Sequence, residues 1–180
     1  DEFNELAGAV NEMIDGLKDG HTVKKIFGKY VDSSVAKQLL ENKDSLKLGG
    51  VKKNVCVFFS DIADFTTLAE KLSPEETIDF LNKYLSLMSE VIKRNEGIID
   101  CYIGDAILAY WEGEDRGCKR AVQTALDQAK EMNLLRDHYK NHPVLNDLGF
   151  RIGIHYGPVI VGNVGSDERM SHTIIGDSVN

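Results

Sequence analysis

Five consecutive apolar residues, Val55-Cys56-Val57-Phe58-Phe59, run directly into Ser60-Asp61-Ile62-Ala63-Asp64-Phe65-Thr66, and this stretch constrains the fold more than any other. The apolar run is rich in β-branched and aromatic types, which predicts a buried strand, and a helical pattern begins at about Thr66. A carboxylate at that junction faces the start of a helix, where backbone N–H groups collect and hold polyphosphate well. A bare carboxylate there repels phosphate unless a cation sits between them. The stretch is therefore a candidate metal-phosphate site. The plain alternative is that an Asp after a strand is a turn or cap residue.

The bulk properties narrow the partners. The chain has 180 residues, enough for one domain with a core and an appendage. A formal net charge of -8 and the lack of a Lys/Arg cluster argue against a nucleic-acid surface, though not against a nucleotide whose charge a divalent cation carries. Cys56, Cys101 and Cys118 are odd in number, widely spaced and without a Cys-x-x-Cys pair. A disulfide framework is not expected, and a reducing, cytoplasmic setting fits. No apolar run approaches the roughly 20 residues that span a bilayer, and no signal peptide opens the chain. The sequence starts in mid-pattern at Asp1, which suggests an upstream segment.

Taken in order, residues 1–18 space Phe3, Leu6, Val10, Met13 and Leu17 as the seam of a helix made for a partner helix. Two heptads do not fix an oligomeric state, and packing on the same domain is the alternative. Gly16 and Gly20 weaken this helix, and Lys24 to Leu48 read as a connector with a helix near Ser33 to Asn42, Val35, Leu39 and Leu40 inward. Leu48-Gly49-Gly50 is expected to break the chain before the strand. The expected division is thus residues 1–20, a connector 21–50, and a main domain 51–180.

Ser73-Pro74-Glu75-Glu76 combines a Ser N-cap, Pro at the first helical position and Glu at the third, a full capping box. The helix it opens is predicted to run to about Asn95 with Ile78, Leu81, Leu85, Met88 and Ile92 buried. After Gly97, Ile98 to Ile103 and Ala106 to Trp111 flank Gly104-Asp105, a β-hairpin with Gly taking the positive φ and Asp105 at the tip. A second helix follows from Asp115 to Asn141, with Ala121, Ala125, Leu126, Ala129 and Leu134 on its apolar side, and Pro143 stops it. His138 and His142 have a spacing able to grip zinc, but no Cys or carboxylate follows at ligand spacing and the surroundings look solvated. Phe150 to His155 and Val159 to Val164 are expected as two strands turning at Gly157-Pro158, followed by His172 to Ile175 and a turn at Gly176-Asp177. This order matches βαββαβ, a ferredoxin-like α+β fold with helices on one face of an antiparallel sheet. The end of the first strand then neighbours the hairpin tip, and Asp61 and Asp105 face one another as two carboxylates that a cation reconciles.

Three segments resemble the class III nucleotidyl cyclases, which make cyclic AMP or cyclic GMP: Phe59-Ser60-Asp61-Ile62-Ala63-Asp64-Phe65-Thr66, Ile103-Gly104-Asp105-Ala106-Ile107-Leu108-Ala109, and Gly176-Asp177-Ser178-Val179-Asn180. The resemblance covers roughly residues 50–180. Residues 27–48 resemble the connector of many bacterial members, and Asp1-Glu2-Phe3, Glu5-Leu6-Ala7 and Asn11-Glu12-Met13 resemble the end of a HAMP signalling module. The resemblance implies that Asp61, Asp105 and the Ile62 carbonyl bind two Mg²⁺ or Mn²⁺ ions. One would activate the ribose 3′-hydroxyl toward the α-phosphorus and the other hold the departing pyrophosphate. It implies that backbone N–H groups from Ile62 through Phe65 to Thr66 cradle the phosphates, and that Asn180 positions the ribose. It also implies a homodimer with sites at the interface, and an intact protein tethered to the inner face of the membrane by an upstream sensor region.

Three departures from the family pattern stand out. The adenine-reading lysine of the family falls on Cys101, while its partner position falls on Thr173, whose hydroxyl can serve the adenine edge. A position often Gly is Asp64. The transition-state arginine expected just beyond Asn180 lies outside the sequence, so the chain as it stands is expected to be inactive. The leading expectation is an adenylate cyclase acting on ATP. A guanylate cyclase acting on GTP, and a catalytically silent nucleotide-binding or dimerisation module, are the alternatives. A diguanylate cyclase shares the sheet plan, but its Gly-Gly-[Asp/Glu]-Glu-Phe hairpin is absent.

Overall fold

The computed structural model describes residues 48–166 and 170–180, which belong to one unit, Lys47–Asn180. The N-terminal seam, the connector helix and part of the loop after Gly165 lie outside the described residues. Within the unit, the elements are β1 (Gly49–Ala63), α1 (Phe65–Ala69), α2 (Pro74–Arg94), β2 (Ile98–Ile103), β3 (Ala106–Glu112), α3 (Glu114–Tyr139), β4 (Gly149–Gly165), β5 (Met170–Ile175) and a short 3-10 turn, Asp177–Val179. The strands form one antiparallel sheet in the order β2-β3-β1-β4-β5. This is the expected α+β plan with one further strand at the edge.

Alternation along β1 sorts its side chains between two cores. Cys56, Phe58 and Ile62 join Ile107, Ala109 and Trp111 of β3 against α2 and α3. Val55 and Val57 point the other way, to Leu108, Tyr110, Val159, Val161 and Ile174. Each large side chain buried in this way contributes roughly 1.5–3 kcal/mol. Trp111 anchors the first core: its ring meets Phe58 edge-on at 5.6 Å, and its indole N–H donates to the Asn95 carbonyl at 2.8 Å.

The capping box of α2 forms as expected, Ser73 Oγ accepting from the Glu76 amide while Glu76 Oε2 accepts from the Ser73 amide at 2.9 Å. The helix face is rotated from the expected one. Phe80 and Tyr84 are buried with Met88 and Ile92, while Ile78 is 58% exposed. In α3, Leu126 and Leu134 are 55% and 62% exposed, and Thr124 and Gln128 are buried instead. Both polar residues face inward because each has a backbone partner there. Thr124 Oγ1 donates to the Arg120 carbonyl and Gln128 Nε2 to the Met88 carbonyl of α2.

Two turn expectations are corrected. Gly49 and Gly50 do not break the chain but open β1, opposite Asn163 and Gly162. A Cβ on Gly162 would collide with the Gly49 carbonyl and Gly50 Cα, so glycine faces glycine and the backbones approach closely. Gly157-Pro158 is no hairpin either. β4 runs unbroken from Gly149 to Gly165, with Pro158 opposite Asn54. The Pro158 carbonyl accepts from Ser178 Oγ at 3.1 Å, so that residue's polar groups face away from β1. β5 pairs with β4 only from Ile160 onward, and at this edge the N–H that proline lacks has no ladder partner to miss.

Candidate active site

The C-terminal end of β1 carries Asp61 and Ile62, and the β2–β3 hairpin carries Asp105 at its tip beside Gly104, whose φ is +63°. Because β3 is hydrogen-bonded to β1 as far as Ser60↔Ile107, the tip arrives beside Asp61. The Ile62 amide donates to Asp105 Oδ2 at 3.0 Å. Of the amides from Ile62 to Thr66 expected to cradle phosphate, that of Ile62 is thus committed to the second carboxylate.

A third strand supplies a cation. Asp61 and Arg151 sit opposite each other across β1 and β4, and Arg151 Nε donates to Asp61 Oδ1 at 2.8 Å. This hydrogen bond, followed by the charges of Asp61, Asp64 and Asp105, holds the guanidinium more firmly protonated than usual. Three acids therefore converge on one exposed guanidinium. Asp64 is the N-cap of α1 in the left-handed region, φ 55° and ψ 31°, without a side-chain cap, which explains why glycine suits the position. Beneath the cluster lie the fully buried Ser60 and Tyr84. Their hydroxyls are neighbours, but no hydrogen bond of normal geometry joins them. Burial first, then the nearby Asp105 charge, pushes the phenol well above its ordinary value.

Among the described residues, no group of three or more His, Cys, Asp and Glu side chains forms a metal cage. Asp61, Asp105 and a main-chain carbonyl nonetheless fit a hard cation of the magnesium type. Such ions take one or two carboxylates and leave the remaining positions to water and substrate phosphate. The two histidines fit no metal. His138 Nε2 pairs with Lys83 Nζ at 2.8 Å, and His142 Nδ1 accepts from the Val144 and Leu145 amides at 3.2 and 3.1 Å.

Asn180 and Asp61 line one open groove of about 690 Å³, together with Val57, Phe59, His155 and Ser178. Cys101 and Thr173 form a separate pair, neither lining that groove. Both meet Asp100: Thr173 Oγ1 donates to Asp100 Oδ2 at 2.7 Å, and the Cys101 thiol neighbours the same carboxylate. Burial, and after it the Asp100 charge, pushes the Cys101 thiol up to about 11. It is a thiol, not a reactive thiolate, at neutral pH.

Arg151 and Asp100 have no part in the expected site. Each carried a signal, a charged side chain inside an otherwise apolar strand, Phe150-Arg151-Ile152 and Ile98-Ile99-Asp100.

Comparison with known proteins supplies the lineage. Residues 50–180 match the family model described as the adenylate and guanylate cyclase catalytic domain. An adenylate cyclase of Anabaena cylindrica is 34% identical over 190 aligned residues, covering 100% of this chain and 37% of that protein. The chain thus spans little more than a third of that relative's length. A bacterial light-regulated adenylyl cyclase superposes with a TM-score of 0.81 at 30% identity, over 94% of this chain and 49% of the other. The adenylyl cyclase CyaB from P. aeruginosa superposes with a TM-score of 0.70 at 36% identity, over 73% and 70%. With the carboxylate pair, the sheet order and a family match across residues 50–180 in agreement, this chain belongs to the adenylate and guanylate cyclase catalytic domain family.

Proposed function

We propose that this domain is the output module of an adenylate cyclase that converts ATP to 3′,5′-cyclic AMP and pyrophosphate. The observation that carries the reading is the convergence of Asp61, Ile62 and Asp105 at one end of the sheet, tied by the Ile62 to Asp105 hydrogen bond. Two Mg²⁺ or Mn²⁺ ions held there would supply Lewis-acid activation of the ribose 3′-hydroxyl and charge neutralisation of the leaving pyrophosphate. The chain's own part is to bind and orient. Asp61 and Asp105 fix the triphosphate end, the amides at the start of α1 receive phosphate oxygens, and Asn180 holds the ribose. Arg151 adds a positive charge beside the same end.

The separation between the acid cluster and the Cys101–Thr173 pair supports a homodimer in which one protomer contributes metals and its partner reads the base. The apolar seam of residues 1–18, resembling a HAMP module, supports a parallel pair attached to a sensor. Among the described residues no helix is long and apolar enough to cross a membrane; tethering on the inner face is part of the same proposal and rests on the HAMP resemblance of residues 1–18.

A guanylate cyclase is the second reading, favoured by Cys101 standing where the resemblance expects an adenine-reading lysine. The test is product analysis of the full-length protein with Mn²⁺ and ATP or GTP in separate reactions. Cyclic AMP from ATP, lost to background in Asp61→Ala and Asp105→Ala, is the expected result. Cyclic GMP alone would establish the second reading, and an unaffected rate in either variant would overturn the metal assignment.

A further inference from the structure

β2 and β5 are the opposite edges of the sheet, yet the Asp100 side chain bridges them. Its Oδ2 accepts the Thr173 hydroxyl at 2.7 Å, and its Oδ1 accepts the Ile174 amide at 3.0 Å. Ile174 is a main-chain donor, so the oxygen it meets must be an acceptor. The Thr173 hydroxyl carries one hydrogen, and a short bond to a carboxylate holds it inward. What remains on the solvent side of Thr173 is a pair of acceptor lone pairs.

We infer that Asp100 is a specificity-determining positioning residue, which turns the Thr173 hydrogen inward and so presents an acceptor surface to the six-position of the purine. The inference rests on the cyclase reading and on Thr173 as the base-facing side chain. Adenine has an exocyclic amine at that position and donates to such a surface. Guanine has a carbonyl oxygen there and meets acceptor with acceptor, an unpaired contact in a partly dehydrated site. Discrimination therefore does not require the lysine whose place Cys101 takes, because Asp100 imposes the polarity from behind.

Asp100→Asn tests this with almost no change of shape. The Ile174 amide fixes the oxygen of the new carboxamide at the Oδ1 position, which places its NH₂ group against Thr173 Oγ1. The threonine must then accept from that NH₂ group, and its own hydrogen is released toward the base. The measurement is the ratio of dissociation constants for 3′-deoxy-ATP and 3′-deoxy-GTP, which bind without cyclising, with Mn²⁺ and the full-length protein. The ATP and GTP kcat/KM ratio is measured alongside. The expected result is a preference for adenine that falls about tenfold in Asp100→Asn, the worth of one hydrogen bond, chiefly through KM. In a Thr173→Val background the same substitution should leave the ratio unchanged, because no hydroxyl remains to be turned. An Asp100→Asn protein that weakens both nucleotides equally, or a ratio that shifts as much without the Thr173 hydroxyl, would overturn the inference and leave Asp100 a structural bridge. A wild type that binds 3′-deoxy-ATP but makes no cyclic AMP would sink the cyclase reading alone, since the binding ratio still decides the role of Asp100.

Discussion

At the scale of single residues, the acid cluster is unusual because a close cation is covalently part of the chain. Arg151 is well exposed, its side chain 61% accessible, so solvent screens its bond to Asp61 and the pair contributes little to stability. Its charge matters more for what else binds there. Removing it as Arg151→Gln leaves Asp61, Asp64 and Asp105 without its compensation, and the free protein should bind Mn²⁺ about fivefold more tightly or better. The melting temperature should not change. Calorimetric titration in the absence of nucleotide reads the first and thermal unfolding the second; an unchanged or weaker Mn²⁺ affinity would show that Arg151 does not compete with the cation. Asp61 and Asp105 were legible in the sequence, because a carboxylate after an apolar strand and another at a hairpin tip are each visible locally. Arg151 was not, since nothing in the order of residues says that position 151 lies opposite position 61.

Among the elements, β1 and β4 form the longest ladder, 15 register pairs from Gly49↔Asn163 to Ala63↔Gly149, and it aligns the acid end of the site. The close approach at Gly162 is its tightest point. Gly162→Ala should cost about 2 kcal/mol or more, because the added methyl meets main chain, which cannot rotate away. Gly153→Ala, in the same strand with nothing within 4 Å of the new Cβ, serves as the control and should cost far less. Urea unfolding compares them, and equal midpoints would refute the packing argument. The helices show where periodicity reads correctly and where it misleads. The α2 cap was legible to the residue because Ser73, Pro74 and Glu76 interact within one turn. The buried face was less so. Aromatic Phe80 and Tyr84 displace Ile78, and Gln128 reaches the Met88 carbonyl, choices set by the shape of the neighbouring surface.

For the whole molecule, buried and half-buried titratable groups define a pH window. His172 is held below its ordinary 6.5, first by burial, with Lys53 adding and Asp100 opposing. Its folded form binds fewer protons than the unfolded chain, so its contribution is lost as pH falls below about 6.5. Cys56 is pushed from 9.0 to about 12 by burial and then by the neighbouring Cys118 thiol, and Cys101 to about 11. Groups raised in this way stabilise fully below 9.0, and that contribution drains away as pH rises toward the folded values. Melting temperature measured from about pH 5 to about pH 11 should form a plateau between roughly 7 and 9, with Cys101→Ser softening the alkaline fall. A melting temperature that holds or rises from about pH 9 to about pH 11 would contradict it. By itself the sequence determined most of the elements, the antiparallel α+β class, the family and the candidate carboxylate pair, because strand alternation, turn chemistry and helix caps act between residues near one another in the chain. Only the tertiary structure decided that Asp100 joins the two edges of the sheet, that Arg151 meets Asp61, and that β4 runs straight through Gly157-Pro158. Each depends on how far the sheet curls and on which strands become neighbours, and those follow from packing of the whole core and not from any local stretch of residues.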